Sequence, residues 1–141
     1  MYDAAVRAFE GSDGAVMCAA VADYTPDRVS DTKIKKCDGD MCITLRRTRD
    51  IAAELGAHKG GRLLVGFALE THDEQAHAEA KLEKKNFDFI VLNSLRDAGA
   101  GFRGDTNKVT FIDRSGREEL PLMPKSEVAE RIADKIESLL K

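Results

Sequence analysis

Three uninterrupted apolar runs limit the folds that this chain can adopt. Ala15–Ala22 and Leu63–Ala68 are apolar at nearly every position, and Phe87–Leu92 is broken only by Asp88. A strand with one face in water alternates apolar and polar residues, whereas a strand covered on both faces does not. The runs therefore predict parallel strands buried between two layers of helices.

Segments with helical periodicity separate these runs. The spacing of apolar residues predicts a helix from Tyr2 to Phe9 that ends at Gly11. A shorter helix is predicted over Asp50–Leu55, with Gly56 stopping it.

Two longer helices carry charge and capping signals. Acidic residues open the segment Asp73–Lys85 and lysines close it, which matches the helix dipole, and Thr71 with Glu74 forms a capping-box pattern. An apolar stripe over Val128–Leu139 predicts a final helix, with Ser126 as its N-cap.

The remaining strand signals are short. Ile43–Arg46 reads as a strand, and Lys108–Ile112 with Arg117–Leu122 flanks the turn Asp113–Gly116 as a β-hairpin. The alternation of strands and helices predicts a single α/β domain over residues 1–141. The expected fold is a Rossmann-like, open and mostly parallel sheet with helices on both faces, to which the hairpin is added.

The start of the chain departs from a nucleotide-binding α/β fold. Such folds normally open with a strand and a glycine-rich turn that holds phosphate. In this chain a helix comes first, and the sequence contains neither a GxGxxG fingerprint nor a P-loop. Either the domain is unusual or its first unit is absent.

Composition excludes several classes of protein. The net charge is −3 and the pI is near 5.7, so the basic excess of a nucleic-acid binder is missing. No apolar run approaches the length of about 20 residues that crosses a bilayer. No signal peptide opens the sequence, and we expect a soluble, cytoplasmic protein without a membrane partner.

The three cysteines do not form a metal or redox motif. Cys37 and Cys42 have four residues between them, and Cys18 lies in an apolar run that predicts a core position. We expect free thiols and no metal bound by protein ligands.

Charged residues near the strand ends are the first candidate site residues. Ligands of open parallel sheets bind beyond the carboxyl ends of the strands. Asp23 follows the apolar run Ala15–Ala22 and is either a turn former or a contact for ribose, base or metal. The Lys33-Ile34-Lys35-Lys36 cluster is either a solvated face or a neutraliser of phosphate. Lys81 and Lys85, one helical turn apart, either complement the helix dipole or reach anions.

Two further residues have both a structural and a functional interpretation. Phe67, flanked by Gly66 and Ala68, suits either the core or a pocket that admits a planar base. Asp50 is most simply a charge complement at a helix start. No arrangement of nucleophile and base is suggested, so any reaction would depend on positioning and electrostatics.

Five stretches, taken together and in order, resemble the ligase domain of the phosphopantothenate–cysteine ligase (phosphopantothenoylcysteine synthetase) family. The resemblance extends over the whole chain, although each stretch alone is weak. The stretches are Ala19–Tyr24, Lys33–Lys36, Gly66–Thr71, Ala80–Lys85, and Gly101-Phe102 with Asp105, Asn107 and Val109.

The resemblance implies a reaction of coenzyme A biosynthesis. The 4′-phosphopantothenate carboxylate attacks the α-phosphate of CTP, and the amine of L-cysteine then displaces the nucleotide monophosphate. Bacterial members generally use CTP and animal members ATP, with Mg²⁺ neutralising the phosphates. In many bacteria a flavin decarboxylase is fused to the ligase, and FMN would belong to that domain and not to this segment.

The resemblance also assigns residue roles. Met17, Cys18 and Ala19 would offer backbone contacts to the nucleotide, and Asp23 would contact it as well. Lys33 would meet the triphosphate as the catalytic residue. The remaining nucleotide contacts would be Arg49, Asp50, Ile51 and Ala52 against the base, Phe67 in the base and ribose pocket, and Lys81 and Lys85 at the nucleotide end. The hairpin after Asn107 resembles a dimerisation arm, so a homodimer is expected.

Some features depart from the family pattern. Arg49 stands where a proline is usual, and Met17 and Cys18 are bulkier than the common small residues. Family members also precede Tyr2 with a strand, a glycine-rich loop and an asparagine needed to convert the acyl-nucleotide. The chain is therefore interpreted as the C-terminal greater part of the ligase domain, weakly active or inactive alone.

Two other function classes compete with the ligase. A non-catalytic nucleotide-binding or dimerisation module fits the composition equally well, and only the ordered motifs favour the enzyme. A Rossmann-type oxidoreductase is less well supported because the dinucleotide fingerprint is missing.

Overall fold

A computed structural model describes residues 1–36, 38–70, 73–94 and 104–140. Within those ranges the elements are, in chain order, α1 (Tyr2–Glu10), β1 (Gly14–Met17), β2 (Tyr24–Pro26), β3 (Leu45–Arg47), α2 (Ile51–Ala57), β4 (Leu63–Glu70), α3 (Glu74–Lys84), β5 (Phe89–Ser94), β6 (Thr106–Asn107), β7 (Val109–Asp113), β8 (Gly116–Glu119), β9 (Met123–Pro124) and α4 (Lys125–Leu139). None of these helices is long and apolar enough to cross a membrane.

The central sheet of the described residues has five strands in the order β1-β4-β5-β7-β8. β1, β4 and β5 pair in parallel, β7 runs antiparallel to β5, and β8 runs antiparallel to β7. β8 therefore points the same way as β1, β4 and β5, and the predicted mostly parallel sheet is confirmed. The predicted hairpin forms as β7–β8 and continues this sheet through β5, so it does not stand apart from it.

Helices cover both faces of the sheet, as predicted. Alternate residues of β5 pack on opposite faces of the sheet. Ile90 and Leu92 pack with helices α1, α2 and α3, while Phe89 and Val91 pack with α4. All four side chains are buried. This double burial is the reason that the strand reads as a continuous apolar run.

β1 is shorter than the predicted strand Ala15–Ala22. Its parallel pairing with β4 ends where Met17 lies opposite Gly66, and the chain then leaves the sheet. Cys18 is exposed, so its predicted core position is wrong. The segment that follows forms a separate two-stranded sheet in which β2 pairs with β3, and β3 lies close to the predicted Ile43–Arg46.

Gly56 lies inside α2 and does not stop it. The helix begins after Asp50, whose side chain accepts a hydrogen bond from the Ala53 N–H, and it ends at Ala57. A Cβ at position 56 would lie 1.9 Å from the backbone oxygen of Lys85. Glycine is therefore needed because α2 approaches the end of α3 closely at this position.

The starts of the last two helices differ from the capping predictions. α4 begins at Lys125 with Pro124 at the N-cap position, so Ser126 lies inside the helix and is not its cap. α3 begins at Glu74, after Asp73 in a left-handed conformation with φ of 45°. The predicted capping box falls partly on Thr71, which lies outside the described residues.

Asp88 joins the starts of the two central strands. Its carboxylate accepts hydrogen bonds from the Leu64 N–H at 2.7 Å and from Lys59 Nζ at 2.7 Å, and its own N–H donates to the Leu64 carbonyl. The Lys59 side chain is only 10% exposed. A charge buried to this degree needs a partner, and Asp88 supplies it.

Asp113 ends β7 in a similar ion pair on the other face. It lies 2.7 Å from Lys135 Nζ of α4, and this ammonium also lies over the rings of Phe89 and Phe111. Partial burial opposes ionisation, but hydrogen bonds from Lys135 and Ser115 outweigh it and lower the pKa of Asp113 to about 2.

The two edges of the central sheet differ in character. β8 forms one edge, where its residues Gly116–Glu119 are exposed and include Arg117, Glu118 and Glu119. β1 forms the other edge, beside an apolar groove to which Val16, Ile136 and Leu140 contribute.

Replacing Gly56 by alanine should destabilise the protein, because the new Cβ would meet the Lys85 backbone oxygen at 1.9 Å. We expect a loss of about 2 kcal/mol in the free energy of unfolding, measured in urea. Gly61→Ala is the control, since nothing lies within 4 Å of a Cβ there. Equal effects of the two substitutions would contradict this account of the packing.

The Asp113–Lys135 pair should make stability depend on pH in the acid range. Because folding lowers the pKa of Asp113 from 3.8 to about 2, the stabilisation is present above pH 3.8 and is lost as the pH falls towards 2. Near pH 6 the free energy of unfolding of the wild type should exceed that of Asp113→Asn by about 2 kcal/mol. This difference should shrink below pH 4. A difference in unfolding free energy that stays constant from pH 6 to about pH 2.5 would refute the stabilising role of the Asp113 carboxylate.

Candidate functional site

A cleft opens at the carboxyl ends of β1 and β4, where the α2 start and the end of α3 face them. This is the position at which open α/β sheets bind ligands. Its lining residues come from these elements and from the segments that follow β1 and precede α2: Met17, Ala19, Val21, Asp23, Thr48, Arg49, Asp50, Ile51, Ala52, Phe67, Lys81, Lys85 and Phe87.

The cleft brings together ten of the twelve residues that the sequence singled out. They are Met17, Ala19, Asp23, Arg49, Asp50, Ile51, Ala52, Phe67, Lys81 and Lys85. Cys18 and Lys33 do not line it. The binding of a nucleotide by these residues stays a prediction, but their common location is now a structural fact.

Phe87 is a lining residue that sequence reasoning placed only in a strand. It precedes β5 and is buried, and a Cβ at Gly66 would lie 2.5 Å from its ring. Gly66 therefore lets this ring reach the floor of the cleft beneath β4. The glycine beside Phe67 is the sequence signal for this packing, and the space that it leaves is filled by the Phe87 ring and not by a ligand.

Thr48 is a second residue that the sequence did not reveal. Its hydroxyl donates to the Ala22 carbonyl at 2.7 Å, and its N–H donates to the Asp23 carbonyl at 2.9 Å. These bonds hold the chain leaving β1 against the chain entering α2. Thr48 is thus the residue that joins the two sides of the cleft mouth.

Asp50 is occupied by structural contacts. Partial burial opposes its ionisation, but the hydrogen bond from the Ala53 N–H and the ion pair with Lys85 Nζ at 3.2 Å outweigh it and lower the pKa of Asp50. Its carboxylate therefore caps α2 and ties that helix to α3. A ligand in the cleft would therefore contact the backbone at the start of α2, next to a carboxylate whose charge is balanced by Lys85.

Arg49 lies against the first helix. Its Nη2 donates to Asp3 Oδ1 at 2.6 Å, and its guanidinium carbon lies 3.7 Å from the centre of the Tyr2 ring. The hydrogen bond from Arg49 lowers the pKa of Asp3. Both side chains of this ion pair are more than half exposed, so the pair adds little to stability.

The mouth of the cleft carries charges of both signs. Arg49, Lys81 and Lys85 contribute positive charge, and Asp23 and Asp50 contribute negative charge. Lys81 and Lys85 lie one turn apart at the end of α3. Such a mouth can attract an anionic ligand and leave an apolar floor for a planar group.

Lys33 and Cys18 are placed differently. Lys33 is exposed on the segment between β2 and β3, and Lys35 and Lys36 beside it are exposed as well. Cys18 is exposed next to Met17 but outside the lining. Among the described side chains, no three of His, Cys, Asp and Glu are grouped so that they could hold a metal ion.

Comparison with known proteins gives consistent matches. Residues 1–140 match the family described as DNA/pantothenate metabolism flavoprotein, C-terminal domain. The chain is 54% identical to a cysteine/cysteine sulfinic acid decarboxylase of an unknown prokaryotic organism, over 99% of this chain and 40% of that protein. It is 46% identical to the coenzyme A biosynthesis bifunctional protein CoaBC of Bacillus subtilis (strain 168), over 100% of this chain and 35% of that protein.

Solved structures share the fold. The C-terminal domain of a coenzyme A biosynthesis bifunctional protein CoaBC matches with a TM-score of 0.78 and 37% identity, over 99% of this chain and 60% of that one. A Cab2 mutant in complex with phosphopantothenate-cysteine matches with a TM-score of 0.63 at 17% identity, over 87% of this chain and 44% of that one, which shows the fold alone.

The chain spans less than half the length of these curated relatives. The family match nevertheless extends over nearly every residue, and the solved CoaBC domain aligns over 99% of the chain. The chain therefore belongs to the family of DNA/pantothenate metabolism flavoprotein C-terminal domains.

Proposed function

We propose that this chain forms the nucleotide-binding part of a phosphopantothenate–cysteine ligase that acts in coenzyme A biosynthesis. The observation that carries the proposal is the cleft at the carboxyl edge of the sheet, with an apolar floor and lysine side chains at its mouth. The name of the Bacillus subtilis relative, a coenzyme A biosynthesis bifunctional protein, supports the same pathway.

The proposed reaction has two steps. The carboxylate of 4′-phosphopantothenate attacks the α-phosphate of CTP, which forms an acyl-cytidylate and releases pyrophosphate. The amine of L-cysteine then attacks the acyl carbon, which forms the amide and releases CMP. The described residues need to supply no covalent nucleophile, because orientation and charge stabilisation carry both steps.

The chemistry of the cleft suits a nucleotide. Phe67, Phe87 and Met17 offer apolar contacts to a base or ribose, and Lys81 and Lys85 offer ammonium donors to phosphate oxygens. Asp23 is exposed at the mouth and is suited to hydroxyl or amino groups. The remaining predicted contacts, which come from Ala19 and the start of α2, would be made largely through the backbone.

Mg²⁺ would come with the nucleotide. A magnesium ion in such sites keeps several waters and is held by substrate phosphates with one or two carboxylates. Asp23 is the carboxylate of the cleft that fits this role, since Asp50 is already bound to Lys85. The ion would neutralise phosphate charge, and the protein would orient the triphosphate.

Lys33 keeps its proposed role as the catalytic contact to the triphosphate. Because it lies outside the cleft, this contact requires the segment between β2 and β3 to approach the mouth. Cys18, also outside the lining, would contact the nucleotide through its backbone at the end of β1.

Binding without turnover is the second candidate function. The chain aligns to only 60% of the solved CoaBC C-terminal domain, and the rest of that domain could supply residues that a complete ligase site needs. A flavin decarboxylase, with its FMN, would be a fused or associated partner, as the bifunctional relative suggests.

Calorimetry with CTP, ATP and NAD in the presence of Mg²⁺ tests the proposal. We expect CTP to bind, and Lys81→Ala to weaken it about tenfold because an ammonium that faces phosphate is lost. Lys84→Ala is the matched control, since that lysine lies on α3 but does not line the cleft. Binding of NAD alone, or equal effects of the two variants, would count against the ligase.

We propose further that the protein is a homodimer. The segment between β2 and β3 exposes Val29 by 88%, Met41 by 63% and Ile43 by 60%. Met41 and Ile43 line one surface pocket, and grouped exposed apolar side chains mark an interaction surface. The charged edge at β8 is a poorer candidate, so the hairpin β7–β8 is not the surface that we favour for the dimer.

Analytical ultracentrifugation should detect a dimer of the wild-type chain. Ile43→Glu should shift it to monomer, because a carboxylate would be buried in the interface. Leu122→Glu places the same charge on another exposed leucine, outside this surface, and should leave the dimer intact. A monomeric wild type would refute the dimer but not the nucleotide site.

A further inference from the structure

Arg49 presents a flat cation at the edge of the cleft. Its guanidinium carbon lies 3.7 Å from the centre of the Tyr2 ring, a distance typical of face-to-face contact. One edge of the group is bound to Asp3 at 2.6 Å. The plane of the guanidinium is therefore held in place from one face and one edge.

Tyr2 is itself held in place. Its hydrogen bond with Glu54 of α2 is the largest of the effects that raise the pKa of Tyr2. The ring thus connects α1 to α2, and Arg49 covers it.

The second face of the guanidinium has room for a ligand. The Arg49 side chain is 62% exposed, although one face is covered by Tyr2. The same residue lines the cleft next to Asp50 and Ile51. A guanidinium is planar, delocalised and weakly hydrated, so it stacks readily on aromatic rings.

We propose that the Tyr2–Arg49 stack is a platform for the nucleobase, with the base lying on the open face of the guanidinium. This inference rests on the proposed function, because it assumes a nucleotide in the cleft. It adds the side-chain group that holds the base: a cation sandwiched between two rings.

The contacts of Arg49 favour a base over a phosphate. Asp3 already neutralises the guanidinium, which reduces its attraction for an anion. Lys81 and Lys85, at the end of α3, are the cations that the proposed function assigns to phosphate, and Lys85 also pairs with Asp50. Stacking depends on the planar shape of a group more than on its net charge, and every base offers a π face.

Binding of CTP and of inorganic tripolyphosphate to the same variants separates the two roles. Arg49→Lys keeps the charge and removes the plane, so CTP should bind about fivefold more weakly. Tripolyphosphate, which has no base, should change by less than about twofold. Tyr2→Leu, which removes the supporting ring, should reproduce the selective loss of CTP affinity.

Arg62→Lys is the matched control. Arg62 also lies over an aromatic ring, that of Phe9 at 5.3 Å, but it does not line the cleft. This variant should bind both probes as the wild type does. Thermal unfolding of each variant shows that the comparison is made between folded proteins.

Each other outcome overturns a different statement. Full CTP affinity in Arg49→Lys, or an equal loss for both probes in Arg49→Ala, would show that the base does not use the stack. Failure of the wild type to bind CTP or ATP at all would overturn the proposed function and, with it, this inference.

Discussion

The hydrogen bonds of Asp88 determine how the two central strands lie against each other. Its carboxylate and its N–H both engage Leu64, and Lys59 neutralises the charge. These contacts start β4 and β5 in one parallel register, in which Val65 lies opposite Phe89. Because β1 takes its register from β4, the carboxyl ends of the strands, and hence the floor of the cleft, depend on this carboxylate at the opposite end of the sheet.

The other wall of the cleft depends on close helix packing. Gly56 allows α2 to approach the backbone of Lys85, and this approach brings the Lys85 ammonium to Asp50 at the opposite end of α2. The same carboxylate caps α2. A site of this kind is therefore sensitive to substitutions that touch no ligand, since a small shift at the helix contact moves both charges together.

The strands and helices whose signals are local could be predicted from the sequence. The double burial of β4 and β5 leaves continuous apolar runs. Apolar stripes identify α1 and α4 within a few residues, and the order of charges identifies α3. Apart from the N-cap of α4, the errors concern partners that are distant in sequence. β1 stops at Met17 because its pairing ends there, and Gly56 continues its helix because Lys85 lies against it. Ten site residues share the cleft because the ends of parallel strands, and the helices beside them, meet at one edge of the sheet. Lys33 lies on the segment between β2 and β3, whose path no such general rule predicts.

The unlike edges of the central sheet have a consequence for self-assembly. A sheet whose two edges both accept strands can polymerise without limit, as fibrils do. In this sheet the β8 edge carries Arg117, Glu118 and Glu119, whereas the β1 edge borders an apolar groove. Strand addition is therefore disfavoured at the β8 edge, which removes the second open edge that unlimited fibre growth requires.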